Sequence, residues 1–261
     1  MSTQNDLALT LKTLHTPGSP IILTNIWDAI TARTIGSLSG TKAIATASYA
    51  IAAAAGLDDA DLTLEVNLRA IKAIAKVTKE LNLPLTADFQ DGFGDQLEEG
   101  VREVVRAGVV GINLEDFGRE LGEKGDLYPI EVAQKRIRRA MEVAKEEGVP
   151  DFVINARTDA LLTGKDIDEA IARGKAYLAA GASNIFIWGG RERGGTTREE
   201  VEKACKAFEG KLNVILVKIQ PGGLTVEDLK TIGVARISVG PQLMLLTQKA
   251  VRETAAGILE G

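Results

Sequence analysis

Short apolar runs recur along the chain, separated by stretches whose apolar residues fall at three- and four-residue steps. The runs are Pro20–Asn25, Lys42–Ala47, Pro84–Asp88, Val109–Glu115, Phe152–Arg157, Asn184–Trp188, Asn213–Val217 and Ala235–Val239. Each reads as a strand buried on both faces. Helical spacing fills Trp27–Leu38, Leu62–Leu81, Leu97–Ala107, Ile130–Glu147, Asp166–Ala180, Thr197–Phe208 and Gln242–Leu259. A short helix begins after Pro221, with Thr225 as its N-cap. Glycines at 108, 148 and 181 stop the helices before them. Residues 1–18 give a short N-terminal helix and a turn. Eight strands alternating with helices predict one (β/α)8 barrel spanning residues 1–261. A doubly wound open sheet is the alternative, but no G-x-G-x-x-G follows the first strand. Phe117–Pro129 is charged, glycine-rich and without periodicity, and reads as a loop over the barrel mouth, a candidate lid.

Composition narrows the chemistry. The 261 residues are 45% hydrophobic and carry a formal net charge of −5, with no basic block, which argues against a nucleic-acid partner. No apolar run reaches the ~20 residues that span a bilayer, and the first residues lack a secretory signal. A cytoplasmic protein without a membrane partner is the expectation. One cysteine excludes an internal disulfide framework. Cys205 reads as a buried, inert thiol on a helix. The one histidine, His15, reads as a surface or capping residue. With one of each, Ser-His-Asp, Cys-His and His-rich zinc chemistry drop out. Acid–base or metal work falls to carboxylates, Arg, Lys, Tyr and hydroxyls.

Three strands end in charge: Asp88 on the third, Glu115 and Asp116 on the fourth, Arg157 and Asp159 on the fifth. In a barrel these ends meet at the face that carries the active site. Asp88, Glu115 and the acidic loop Asp58/Asp59 form an oxygen-only donor set suited to Mg2+ or Mn2+. Arg157 is either the partner of a developing anion or one half of an ion pair with Glu115 or Asp159. The backbone amides of Ala47, Ser48 and Tyr49 could grip a substrate carboxylate. Gly92 and Gly94 allow close backbone approach to a ligand. Trp27, with Asp28 beside it, either walls the pocket or packs in the core.

Five motifs resemble the isocitrate lyase/phosphoenolpyruvate mutase superfamily: Asn25-Ile-Trp-Asp-Ala29, Ala87-Asp-Phe-Gln-Asp-Gly-Phe-Gly94, Gly111-Ile-Asn-Leu-Glu-Asp116, Ala156-Arg-Thr-Asp-Ala160 and Gly233-Val-Ala-Arg-Ile-Ser-Val-Gly240. The resemblance runs from about Pro20 to about residue 250. It implies a (β/α)8 barrel with Mg2+ at the C-terminal face, an enolate-type intermediate, and cleavage or formation of a C–C or P–C bond. By the same resemblance Asp88 is the principal metal carboxylate, and Glu115 and Asp59 hold the metal through water. Arg157 stabilises the oxyanion, the Ala47–Tyr49 backbone binds the substrate carboxylate, and Trp27 is the pocket aromatic. Three departures stand out. Gln90 replaces the usual second acid, with Asp91 next to it. The lid lacks the Lys-Lys-Cys-Gly-His of the lyase branch. Trp188 stands where some members have histidine.

The reading that follows is an Mg2+-dependent lyase or C–C hydrolase acting on a small 2-oxo or 2-hydroxy acid. Asp88, Glu115 and Arg157 are its catalytic residues, and Glu120, Lys124 or Tyr128 of the lid supplies the acid or base. Phosphonate P–C chemistry is the alternative within the enzymes. A degenerate barrel that only binds a carboxylate metabolite is the alternative outside them. A homo-oligomer formed through the last helix is expected from the resemblance.

Overall fold

Parallel strands close into a barrel, as the alternating pattern predicts. In a computed structural model describing residues 2–122, 125–216 and 223–261, the strands are β1 Ile21–Leu23, β2 Ile44–Ala45, β3 Leu85–Asp88, β4 Gly111–Glu115, β5 Val153–Thr158, β6 Asn184–Ile187, β7 Leu212–Ile215 and β8 Arg236–Ser238. Pairing runs without interruption from β2 through β8 and on to β1. The last gap is closed by a parallel bridge between Ile26 and Thr46. There the Ile26 amide donates to Ala45 O at 2.9 Å and the Ala47 amide to Ile26 O at 3.0 Å.

Helices cover the outer face for the reasons their spacing gives. Leu64–Glu80 buries Leu64, Ile71, Ile74, Ala75 and Val77 on one stripe. Gly108 ends Leu97–Ala107 at φ 109°, a left-handed C-cap. Thr225 caps Val226–Ile232 through the Asp228 amide. The N-terminal helix Gln4–Thr13 lies across the N-terminal end of the barrel. Leu11 is fully buried, and Gln4 Nε2 donates to Val105 O and Val109 O at 2.7 and 3.0 Å.

Several boundaries differ from expectation. The helix after β1 begins at Ala29 rather than Trp27, because the Asp28 side chain accepts from the Thr31 amide at 2.7 Å and so caps it. The small-residue stretch after β2 is a helix, Ser48–Ala54. The proposed loop over the mouth contains a hairpin, with Phe117–Gly118 antiparallel to Asp126–Leu127. Val217, at the end of the seventh predicted strand, and Pro221 lie outside the described residues. The last helix, Gln242–Leu259, buries only Met244 and leaves Leu245, Leu246, Val251, Ile258 and Leu259 exposed.

The barrel interior departs from the usual layers of Val, Ile and Leu. Asn113, Asn155, Asn184, Asn213, Thr86, Arg236 and Ser238 are all buried strand residues. Their polar groups make the interior a continuation of the mouth.

Candidate active site

A cavity of about 390 Å³ opens at the C-terminal ends of the strands. Asp88 is its anchor. Asp88 Oδ2 accepts from the Ser48 amide at 2.9 Å and from Ser48 Oγ at 2.8 Å, and Oδ1 accepts from Asn113 Nδ2 at 3.1 Å. Its own amide donates to Thr46 Oγ1 at 2.8 Å. The donor to Oδ1 is the end of a ladder across four strands. Asn184 Nδ2 donates to Asn155 Oδ1 at 3.1 Å, and Asn155 Nδ2 to Asn113 Oδ1 at 2.8 Å. A carboxylate so held has a fixed orientation.

Glu115 and Arg157 stand beside it as a pair. Arg157 reaches Glu115 Oε1 at 3.0 Å and Asp159 Oδ1 at 2.8 Å. Burial pushes the Glu115 carboxyl well above its usual range, against Arg157, and the negative charges of Asp159, Asp88 and Asp59 add to the rise. Burial alone would lower the Arg157 pKa, but Asp159 and Glu115 overcome it and raise it. Arg157 takes the ion-pair alternative, and it also lines the cavity. Asp59 also lines the cavity, and Gln90 Nε2 donates to its Oδ1 and backbone O, each at 3.0 Å. Burial, then Asp88, raises the Asp59 pKa.

Other expected site residues serve structure. The Ala47 amide is taken by Ile26 O and the Ser48 amide by Asp88, so of the three amides expected to grip a carboxylate only that of Tyr49, in the first helical turn, escapes such use. The Ser48 and Tyr49 side chains still line the cavity. Trp27 packs against Ala47, Ala50 and Met244, its core alternative. Asp28 is a helix cap. Gly92 sits in a turn at φ 83°, where a Cβ would come within 2.4 Å of Leu97, and is not part of the cavity lining. Asp91 does not replace the missing acid. Its oxygens accept from the Phe93 and Gly94 amides at 3.0 and 3.2 Å and from Tyr128 Oη at 3.1 Å. Asp116 is turned away, bound by Tyr177 Oη at 2.6 Å and Arg173 at 3.2 Å.

The lid candidates fare differently. Tyr128 is buried, its hydroxyl donating to Glu120 and Asp91. Burial and the Glu120 bond raise its pKa, which makes it a poor proton donor in a site it does not line. Lys124 lies outside the described residues. Arg119 ties the hairpin to the acidic loop, donating to Ala60 O at 2.7 Å.

Sequence reasoning missed Asn25, Asn113, Asn155, Asn213, Arg236 and Ser238, which also line the cavity. A signal was present: asparagine in the middle of an apolar strand run, repeated in Gly-Ile-Asn113, Val-Ile-Asn155 and Leu-Asn213. A buried amide needs partners, and repeated ones point to a shared polar interior. His15 is not on the surface. It is half-buried, with Nε2 buried, while the capping half of the expectation holds: Nδ1 lies 2.7 Å from Leu11 O in the last turn of the first helix.

The donor set can be tested for a divalent cation. Asp88 and Asp59 line the cavity and offer oxygen only, while Glu115, paired with Arg157, lies outside its lining; the charge of Asp88 raises the pKa of Asp59 and of Glu115, a cost a cation would relieve. Among the described residues no three acidic, His or Cys side chains converge closely enough to bind one ion together. The two acids on the lining, Asp88 and Asp59, are of the chemistry that suits a hard cation keeping several of its waters, as Mg2+ does.

A parallel barrel whose strand ends deliver carboxylates and an arginine to one mouth is the architecture of barrel enzymes that act on small polar substrates. The chain belongs to the phosphoenolpyruvate phosphomutase family, whose profile it matches over residues 11–259. It is 34% identical to 2,3-dimethylmalate lyase of Eubacterium barkeri over 194 residues, 70% of this chain and 61% of that protein. It is 30% identical to phosphonopyruvate hydrolase of Variovorax sp. over 233 residues, 85% of this chain and 75% of that protein. A crystal structure of phosphonopyruvate hydrolase with oxalate and Mg2+ superposes with a TM-score of 0.83 at 27% identity, covering 99% of this chain and 88% of that one. Among the described residues no helix is long and apolar enough to cross a membrane.

Proposed function

We propose that the protein is an Mg2+-dependent lyase or C–C hydrolase acting on a small 2-oxo or 2-hydroxy carboxylic acid. The observation that carries this is Asp88, held by Ser48 and Asn113 at the head of the Asn ladder and facing the same cavity as Arg157. Asp88 would hold the cation directly, with Glu115 and Asp59 reaching it through water; Mn2+ suits the same donors. When bound, the metal supplies Lewis-acid polarisation of the substrate's 2-oxo group. The chain's own part is to orient and to stabilise charge. Arg157 faces the oxyanion that develops as the bond to the neighbouring carbon breaks, and its fork is fixed by Glu115 and Asp159 before substrate arrives. The Tyr49 amide is the donor left to grip the substrate carboxylate.

A 2-oxo-acid panel assayed with and without Mg2+ tests this. Metal-dependent turnover, or metal-dependent deuterium exchange alpha to the carbonyl of pyruvate or oxaloacetate, is expected, and Asp88→Ala should lower it at least a hundredfold. No exchange and no turnover on any member would sink the proposal. The phosphonate alternative draws on the likeness to phosphonopyruvate hydrolase. It predicts phosphate release from phosphonopyruvate instead. Small water-soluble substrates accord with a cytoplasmic enzyme. The exposed apolar residues of the last helix accord with a homo-oligomer.

A further inference from the structure

Asp116 stands just past the end of β4, outside the cavity lining, and is 2% exposed. A carboxylate so deep is costly unless its oxygens are met. Both oxygens are met. Oδ2 accepts from Tyr177 Oη at 2.6 Å and from Arg173 Nη1 at 3.2 Å, and Oδ1 accepts from the Asp159 amide at 2.9 Å. Arg173 and Tyr177 stand one turn apart on the helix Ile167–Ala179, so they bring two donors to the same point. Glu169 accepts from Arg173 Nε at 2.9 Å and holds the guanidinium from its other side.

These bonds converge on the stretch that carries Arg157. The Asp116 amide donates to Arg157 O at 3.1 Å, and its side chain takes the Asp159 amide two residues further on. One residue thereby grips the backbone of 157–159 at two points. Asp159 in turn accepts from Arg157 Nε at 2.8 Å. The path from the helix to the guanidinium runs from Tyr177 and Arg173 through Asp116 and Asp159 to Arg157. Packing alone does not fix that end. A void of about 10 Å³ lies against Arg157, bounded also by Glu115, Asp116, Arg136 and Tyr177. Side chains beside a void lack contacts on that side, which leaves their place to hydrogen bonds.

We propose that Asp116, clamped by Tyr177 and Arg173, is a positioning residue that aims Arg157 into the cavity. It acts through Asp159, whose carboxylate presents an oxygen to Arg157 only while its own backbone is held. Given the reading above, on which this rests, that Arg157 stabilises a developing oxyanion, a displacement of about 1 Å lowers the rate on the order of a hundredfold.

Kinetics on the substrate found by the 2-oxo-acid panel, and crystal structures of the same variants, test the assignment. Asp116→Ala frees the Asp159 amide and should lower kcat at least tenfold, with KM changed less than threefold. Asp116→Asn keeps an oxygen toward that amide but loses the charge that faces Arg173. It should restore kcat to within threefold of wild type while its denaturant midpoint stays low. A loss of kcat in step with stability in both variants would mean a merely structural carboxylate and would overturn the proposal. In an Arg157→Lys background, which lacks the fork, Asp116→Ala should change kcat less than twofold, and an undiminished loss there would also overturn it. Tyr177→Phe loosens the same carboxylate while keeping the ring. It should lower kcat threefold to tenfold, which covers an alanine variant that fails to fold. The crystal structures need no turnover. Arg157 Nε should leave hydrogen-bond reach of Asp159 in Asp116→Ala or Tyr177→Phe and stay within it in Asp116→Asn. An Arg157 that keeps its place in every variant overturns the proposal even where activity falls. An Arg157 that moves as expected in a protein without Mg2+-dependent activity removes the lyase reading alone.

Discussion

Asn113 joins the two halves of the site, donating to Asp88 and accepting from Asn155. Its removal leaves one oxygen of Asp88, the carboxylate proposed to hold the metal, without a donor and one buried amide without an acceptor. Asn113→Ala should lower the apparent Mg2+ affinity roughly 10–100-fold, as loss of groups that orient metal ligands does; a Mg2+ titration of activity reads it, and an unchanged midpoint would refute the ladder's role. His15 yields a pH prediction. Burial, then the charge of Arg236, pushes its pKa from 6.5 to about 3. The folded state thus prefers the neutral ring. Above about pH 6.5 neither state binds the proton and stability is full. As pH falls below that value the unfolded chain takes up a proton the folded one refuses, and stability is lost down to about pH 3. Urea unfolding of wild type and His15→Gln at several pH values should show the variant's relative stability rising by up to a few kcal/mol as pH falls. A difference independent of pH would contradict it. The carboxylates at strand ends were legible because charge after an apolar run has few other uses. His15 was not, since nothing local tells a helix-end residue that a barrel lies beneath it.

Elements show where periodicity carried the argument and where it stopped. Repeating apolar steps, caps and C-terminal glycines placed the helices, including the Thr225 cap. The hairpin 117–127 was opaque because its strands are two residues each and its order comes from outside. Tyr128, Glu120 and Asp91 hydrogen-bond beneath it, and the Arg136 guanidinium stacks on the Tyr128 ring at 4.6 Å. Tyr128→Phe should therefore cost about 1–2 kcal/mol of stability while leaving kcat within about twofold, since the hydroxyl is outside the cavity. A large fall in kcat with unchanged stability would return Tyr128 to the list of proton donors. Gly111, on β4, shows how tightly the N-terminal helix is fitted. A Cβ there would lie 2.7 Å from Val153 O and 3.2 Å from Leu11. Gly111→Ala should destabilise the fold by about 1–3 kcal/mol, measured by denaturant midpoint, because a strand carbonyl cannot move aside.

The whole molecule adds the assembly. The last helix leaves Leu245, Leu246, Val251, Ile258 and Leu259 in solvent, and Ile22 on β1 is 43% exposed. A second copy is the proposed cover, so light scattering should give a mass above the monomer, and Leu246→Glu with Val251→Glu should reduce it. A wild-type chain running as a monomer would refute this. The sequence alone determined the barrel, the helices around it and the acids at the strand ends. Those follow from backbone hydrogen bonding and periodic burial, which are local and repeat along the chain. Only the tertiary structure decided which way each polar side chain turns. It set Asp91 and Asp116 into structural bonds, gave Arg157 two carboxylates and left Arg236 without one. Such partnerships join residues far apart in the chain, and their energies depend on burial and distance, which no stretch of sequence contains.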